Sequence, residues 1–471
     1  MKVLVKYLGY ILIISSFFRI IPIITALIYG ENPTLFIVTF FISLLLGLAF
    51  IKLDGMIKSN DTILDLKKAL MIVAISFIIL PLISAITFLP SFNYNFLDAL
   101  FESISGFTTT GLTLYSAVED LPRSLLIWRA ETQWMGGIGI IMVFLFIFSR
   151  LRIHTHDSEP GESVSLYQAQ GFSERLEPNL RKSIRDILLI YSFYTILGIM
   201  LLYVTGMSFF ESISMSFTSI STGGFIVKNQ LLLNDAQFFV LCLLMIIGAI
   251  SFIAHNNILR LKLKEFLSGF EKNVFLIMIA TFIFISMIVL NFKEAAFQII
   301  SAMTTTGYAL TPIATLPQLV ILITMISMVI GGNTASTSGG IKTFRLVYIF
   351  KSIPWLVRKL MSPPHAVLPF KVGKKPVDEE NIFIVYIFVA AYVLLLIVST
   401  IIFMLFGYGF LDSSFQVFSA LGTVGLQTIN LIELNWICKT VLILLMLLGR
   451  LEIFPLFVLA RNMFLNFVVK K

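Results

Sequence analysis

Residues 101–112 read Phe101-Glu102-Ser103-Ile104-Ser105-Gly106-Phe107-Thr108-Thr109-Thr110-Gly111-Leu112, and two later stretches repeat the pattern. One is Phe297-Gln298-Ile299-Ile300-Ser301-Ala302-Met303-Thr304-Thr305-Thr306-Gly307-Tyr308. The other is Phe415-Gln416-Val417-Phe418-Ser419-Ala420-Leu421-Gly422-Thr423-Val424-Gly425-Leu426. Each keeps a Phe ten residues before the Gly and a Ser six before it. A looser copy runs Thr218-Ser219-Ile220-Ser221-Thr222-Gly223-Gly224-Phe225. Aligning Gly224 gives every copy a Gly followed by Leu, Phe or Tyr; Gly223 is the alternative, one residue off. Counting 24 or 25 residues past each loop Gly reaches Gly136, Gly248, Gly331 and Gly449. Repeats at matched positions define architecture. Here the unit is span, short helix, Thr/Gly loop, span, in four non-identical copies.

The sequence around these loops is apolar. Of 471 residues 58% are apolar and 13% charged, with a mean hydropathy of +0.96. Soluble domains carry about 25% charged residues, so a soluble enzyme, a secreted disulfide scaffold and a disordered regulator are excluded. Apolar runs fall at about 4–29, 34–52, 69–90, 125–149, 186–206, 236–259, 273–292, 317–350, 381–408 and 435–462. Runs of this length predict spans, hence an all-α polytopic membrane protein whose first two spans stand outside the repeats. The expected segments are 1–65 for the N-terminal pair, then 66–150, 151–265, 266–351 and 352–471 for the four units. The first run lacks an A-x-A-like cleavage site and a second run follows directly, so it reads as a retained span. Cys242 and Cys438 lie in apolar stretches without metal-site spacing.

The net charge of +8 is a topology signal rather than a nucleic-acid footprint. Starting the N-terminus in the cytoplasm puts nearly all Lys and Arg in cytoplasmic connections, as the positive-inside bias requires. Only Arg123, Lys228, Lys293 and Lys439 fall at external connections, while Arg19, Arg129 and Arg450 lie within apolar runs. Both termini are therefore expected in the cytoplasm, beneath a cytoplasmic (inner) membrane. External connections also carry Asp98, Glu102, Glu119, Asp120, Glu211, Asp235, Glu294, Asp412 and Glu433. These form either a negative mouth that concentrates cations or a set of solvated residues and helix caps.

The loop chemistry suits a dehydrated monovalent cation. Inward backbone carbonyls replace water, Gly supplies the positive φ that lets successive carbonyls face one axis, and Thr or Ser hydroxyls add oxygens. A short helix before each loop points its negative end at the same axis. The candidate ion-binding residues are Thr108, Thr109, Thr110 and Gly111; Ser221, Thr222, Gly223 and Gly224; Thr304, Thr305, Thr306 and Gly307; and Gly422, Thr423, Val424 and Gly425.

The span after the third loop carries Gly331-Gly332-Asn333-Thr334-Ala335-Ser336-Thr337-Ser338-Gly339-Gly340 in its middle. Such a stretch either lines a water-filled path as an intramembrane gating loop or packs helices closely through small residues. Arg450 lies at bilayer depth, where a charge costs at least ~2.5 kcal/mol. It therefore faces the pore and the polar stretch, or pairs with Glu452. No His/Cys/carboxylate cluster or nucleophile motif suggests catalysis.

Together these residues resemble the Trk/Ktr/HKT superfamily of potassium transporters. The resemblance rests on the four loops with Trp134-Met135-Gly136-Gly137-Ile138-Gly139, Gly248-Ala249-Ile250-Ser251-Phe252, the 331–342 stretch and Gly449-Arg450-Leu451-Glu452. The two extra N-terminal spans with Gly30-Glu31, and the stretch from Pro364 to Glu379, resemble the bacterial Trk-type membrane subunit. The resemblance implies four units around one pseudo-fourfold pore, potassium as the transported ion and no cofactor in the chain. It also implies a homodimer in membrane lipid with a cytoplasmic RCK-type nucleotide-binding regulatory subunit. It assigns the filter, the gating loop and Arg450 to the positions above, and Gly111 favours potassium. Gly422 departs from the family's Thr or Ser. The expected activity is potassium uptake through a gated selective pore. The alternative is a secondary transporter coupled to H⁺ or Na⁺, which inverted repeats would support; these repeats run in one sense.

Overall fold

In hydrocarbon, backbone polar groups must be satisfied within their own segment, so long apolar runs become helices. The computed structural model describes residues 2–57, 66–153, 180–363, 368–372, 375–377, 379–453 and 455–461. His154, His156, residues 364–367 and Asp378 lie outside the described residues. The first run forms α1 (Lys2–Phe18) and α2 (Ile20–Tyr29), and the second forms α3 (Thr34–Met56). Helices α1 and α3 cross at Gly9 and Gly47, where a Cβ on either glycine would meet the other's carbonyl oxygen at 2.9 Å.

Four similar units follow. The first is α4 (Leu66–Phe88), α5 (Phe96–Phe107) and α6 (Arg123–Ile153), and the second is α7 (Leu180–Val204), α8 (Phe209–Ile220) and α9 (Asp235–Ala249). After α10 (Phe252–Leu259) and α11 (Leu263–Leu267) come α12 (Phe270–Ser286), α13 (Phe292–Met303) and α14 (Gln318–Val329). Then α15 (Thr343–Leu360) leads to α16 (Glu379–Leu405), α17 (Phe410–Leu421) and α18 (Trp436–Arg450). Among the described residues the one strand pairing is a two-residue hairpin, Lys371–Val372 with Lys375–Pro376. The architecture is that of an all-α, multi-pass membrane protein.

The interruption expected in the span after the third loop is present, and two further spans are broken as well. Among the described residues five helices are long and apolar enough to cross a membrane, six if the bent helix pair that begins at Trp436 is one span. The second, third and fourth units end in broken spans. Helix α9 stops at Ala249 and restarts at Phe252, α14 gives way to a non-helical segment before α15, and α18 stops at Arg450. Gly248, Gly331 and Gly449 sit at these breaks, where poor helix propensity makes an interruption cheap.

The N-terminal pair is tied to the first unit by charge. The Glu31 carboxylate caps α6, accepting from the backbone N–H of Arg123 (2.7 Å) and Ser124 (2.9 Å). An anion at a helix N-terminus is favoured by the aligned peptide dipoles. Arg19 packs against the bundle instead of snorkelling, with its guanidinium 5.0 Å from the Trp128 ring.

Four of the nine acids at the external connections are neutralised. Asp98 pairs with Lys439 at 2.7 Å, Glu102 with Arg129 at 2.8 Å, Glu211 with Lys228 at 2.7 Å and Asp235 with Lys293 at 2.8 Å. The hydrogen bond from Lys293, followed by its charge, holds the Asp235 carboxyl below its ordinary range. The negative-mouth reading therefore fails for these four residues: the few basic residues of the same connections and of α6 are their partners. The Asp98–Lys439 pair is nearly buried and joins α5 of the first unit to α18 of the last. Removing one partner of a buried pair strands the other charge, at a cost of roughly 3–5 kcal/mol. Lys439→Met is expected to lower the thermal midpoint in detergent. The double variant Lys439→Met with Asp98→Asn is expected to recover much of the loss, and equal midpoints for the two would contradict the coupling.

Candidate functional site

The loops begin with the short helices that feed them. Helices α5, α8, α13 and α17 are each 12 residues long. Each opens on a Phe (Phe96, Phe209, Phe292, Phe410) and carries an acid in its first turn (Asp98, Glu211, Glu294, Asp412). With Gly224 aligned, every Phe stands fifteen residues before its loop Gly and every acid thirteen before. Sequence reasoning missed this signal, although it resolves the register of the second loop in favour of Gly224.

All four helices end in the same cap. Thr109, Thr222, Thr305 and Thr423 take φ of 51°, 53°, 58° and 51°, and Gly111, Gly224, Gly307 and Gly425 take 85°, 80°, 85° and 95°. In the first loop Thr109 N donates to Gly106 O and Thr110 N to Ser105 O, both at 2.9 Å. Gly223, Thr306 and Val424 repeat the second bond to Thr218, Ser301 and Ser419 at 2.8–2.9 Å. This is a Schellman cap, which normally places Gly in the left-handed position. A β-branched Thr there is strained by roughly 1–3 kcal/mol, a pattern associated with function.

The caps also lock to one another. A Cβ on Gly111 would run into the carbonyl oxygen of Gly223, and one on Gly224 into that of Thr306. A Cβ on Gly307 would strike the carbonyl of Val424, and one on Gly425 that of Thr110. The order is first to second to third to fourth and back to first, so the loops close a ring. The candidate ion-binding residues are all brought to this ring, and all are buried except Gly111 and Gly307, which are partly buried. The hydroxyls of Thr108 and Thr304 bond back to Ile104 O (2.7 Å) and Ile300 O (2.6 Å). Gly422 lacks such a hydroxyl because a side chain there would crowd Met328 O at 2.6 Å and Val424 at 3.2 Å. The Oγ1 atoms of Thr109 and Thr423 are buried without a hydrogen-bond partner.

The 331–340 segment lies against this ring as a non-helical loop, which removes the helix-packing reading. Its ends are joined by a bridge between Ile330 and Ile341. The break in α9 supplies acceptors, since Asn333 N donates to Ala249 O at 2.8 Å and Thr337 N to Gly248 O at 3.1 Å. Gly339 N donates to Thr305 Oγ1 at 2.8 Å, and the Thr337 hydroxyl bonds Ile220 O at 3.0 Å. A Cβ on Gly339 would collide with Thr423 Oγ1. The segment thus touches the second, third and fourth loops. Thr334 is pinned by Glu271, whose carboxylate accepts from Thr334 N at 2.7 Å, a partner the sequence did not suggest.

Arg450 reaches the same place. Its guanidinium donates to Thr337 O (2.5 Å), Gly136 O (2.8 Å) and Gly137 O (3.3 Å), so it ties the segment to α6. The alternative pairing with Glu452 is not formed: Glu452 binds Arg345 at 2.5 Å. That pair was invisible in sequence because 107 residues separate its members.

A closed ring of helix caps thus lies inside a multi-pass helical membrane protein. A family model described as cation transport protein, TrkH, matches residues 37–290 and 273–466. The chain belongs to that family of cation transporters, which are not enzymes. An uncharacterized cation transporter of Methanocaldococcus jannaschii is 31% identical, over 97% of this chain and 94% of that one. The Trk system potassium uptake protein TrkH of Escherichia coli K12 is 29% identical over 97% and 98%. The crystal structure of the potassium transporter TrkH from Vibrio parahaemolyticus superposes with a TM-score of 0.85 at 26% identity, covering 97% of this chain and 98% of that one.

Ring closure makes the loop glycines intolerant of any side chain. Gly425→Ala combines a clash with Thr110 O and a left-handed backbone, and is expected to destabilise by roughly 3 kcal/mol. Gly55→Ala, with open space around its Cβ position, is expected to be neutral or slightly stabilising. Thermal unfolding in detergent compares them, and equal midpoints would contradict the ring geometry.

Proposed function

We propose that this protein takes up potassium through a selective pore whose filter is the ring of loop residues 108–111, 221–224, 304–307 and 422–425. The observation that carries this reading is the closed cycle of four identical helix caps. Each directs the negative end of a short helix, and the backbone carbonyls of its cap, to a shared locus. Such a cage of fixed oxygens replaces the hydration shell of a monovalent cation. The left-handed Thr residues add hydroxyls, and two of those are buried without partners. Relatives that match over nearly their whole length are potassium uptake proteins, which supports potassium as the cargo. The four units run in the same sense, which favours a pore over an inverted-repeat, H⁺- or Na⁺-coupled carrier.

The segment 331–340 is the gate in this reading. It abuts the ring through Gly339 and Thr337, and Arg450 clamps it by a charge-assisted hydrogen bond to Thr337 O. A cation fixed beside the filter also raises the electrostatic barrier to passing ions. The Lys/Arg distribution supports an inner-membrane orientation with both termini cytoplasmic and the gate on the cytoplasmic side of the filter. The relatives' place in a Trk system supports assembly with a regulatory subunit; in this reading that subunit is cytoplasmic and RCK-type, and the protein is a homodimer. The division at 65/66, 150/151, 265/266 and 351/352 is the proposed unit structure.

Two outcomes follow from this reading. Gly111→Ser and Gly307→Ser are expected to admit sodium or abolish potassium uptake in proteoliposome flux, and unchanged selectivity in both would remove the filter assignment. Arg450→Ala, or shortening of 331–340, is expected to raise flux. If correctly inserted versions of both variants gave no increase, the segment would not be a gate.

A further inference from the structure

Three of the four loops are braced by a serine of their own helix. Ser105 Oγ donates to Leu112 O at 2.6 Å, Ser301 Oγ donates to Tyr308 O at 2.7 Å, and Ser419 Oγ accepts from Gly425 N at 3.1 Å. The second loop has Thr218 at that position, and its hydroxyl is engaged with the Tyr308 hydroxyl of the third unit at 2.5 Å. The brace comes instead from the first unit. Gln133 on α6 is fully buried. Its Nε2 donates to Gly223 O at 2.6 Å and its Oε1 accepts from Phe225 N at 3.1 Å, so one carboxamide holds the backbone on both sides of Gly224.

The sequence of the second loop fits this brace. Where the other copies carry Thr110, Thr306 or Val424, this one carries Gly223, and a Cβ there would strike the Gln133 carboxamide at 2.4 Å. Glycine leaves the backbone more freedom, and the carboxamide removes it by satisfying one donor and one acceptor together. The Gly223 carbonyl that Gln133 holds is also the oxygen against which Gly111 packs. Gln133 therefore bears on two adjacent loops of the ring.

We infer that Gln133 is a positioning residue that holds the second loop in its filter geometry and so sets how strictly the pore rejects sodium. This inference rests on the filter reading. The isosteric Gln133→Glu keeps an acceptor for Phe225 N but turns a carboxylate oxygen toward Gly223 O, and Gln133→Met keeps the volume without either bond. Ser103→Ala, which loses a buried bond from α5 to Pro81 O (2.8 Å) away from the loops, is the structural control.

The test is the potassium-to-sodium permeability ratio of the full-length protein in proteoliposomes, with the thermal midpoint of each variant measured alongside. Gln133→Glu and Gln133→Met are expected to lower the ratio about tenfold, the scale of losing a buried hydrogen bond. Ser103→Ala is expected to lower the midpoint and leave the ratio unchanged. Folded Gln133 variants with the ratio of the unsubstituted protein would overturn the inference. So would failure of both to fold while Ser103→Ala folds, which would make Gln133 a stability residue. If Gly111→Ser and Gly307→Ser alter selectivity while the Gln133 variants do not, this inference alone fails. If none of them alters it, the filter reading fails first.

Discussion

A threonine in the left-handed backbone region is costly, and this chain holds one at the end of each of four short helices. The strain is tolerated because every cap is fixed twice. Its own helix satisfies it through two backbone hydrogen bonds. The neighbouring loop then closes on it, because each loop glycine lies against a carbonyl of the next copy in the cycle. No loop holds its shape alone, so the surrounding helices serve chiefly to bring four caps to one place. The Asp98–Lys439 pair, which links the first unit to the last, belongs to the same closure.

The broken spans follow from this arrangement. A continuous helix has no free backbone groups to offer, whereas a break exposes carbonyls and N–H groups that need partners. The break in α9 leaves Gly248 and Ala249 carbonyls, and the 331–340 segment uses both. The segment's own polar groups are taken up by Thr305, Ile220, Glu271 and Arg450. A strongly polar stretch is thus kept inside the membrane by contacts that also hold it against the ring. Movement of Arg450 would release the segment from α6, because its guanidinium bonds Thr337 O on one side and Gly136 O and Gly137 O on the other.

Much of this was legible in the sequence. The matched Thr/Gly loops located the ring residue by residue, and the run of small polar residues marked the irregular segment. Apolar run lengths indicated a polytopic helical protein and the 331–340 stretch marked one broken span, but hydropathy did not register the further breaks after Ala249 and Arg450. The acids beside the loops were read by position alone, and their basic partners lie up to 341 residues away in sequence. The brace from Gln133 was hidden for the same reason, being 90 residues from Gly223 and on another unit. Contacts set by the closing of the ring leave no local pattern. The phenylalanines and acids that open the four short helices did leave one, and it went unread.

The central claim is that the ring is where the transported cation sheds its water. Crystals grown with rubidium or thallium in place of potassium would give anomalous scattering from the ion itself. The account predicts a peak on the axis enclosed by Gly111, Gly224, Gly307 and Gly425. Peaks confined to other parts of the molecule, with none inside the ring, would contradict it.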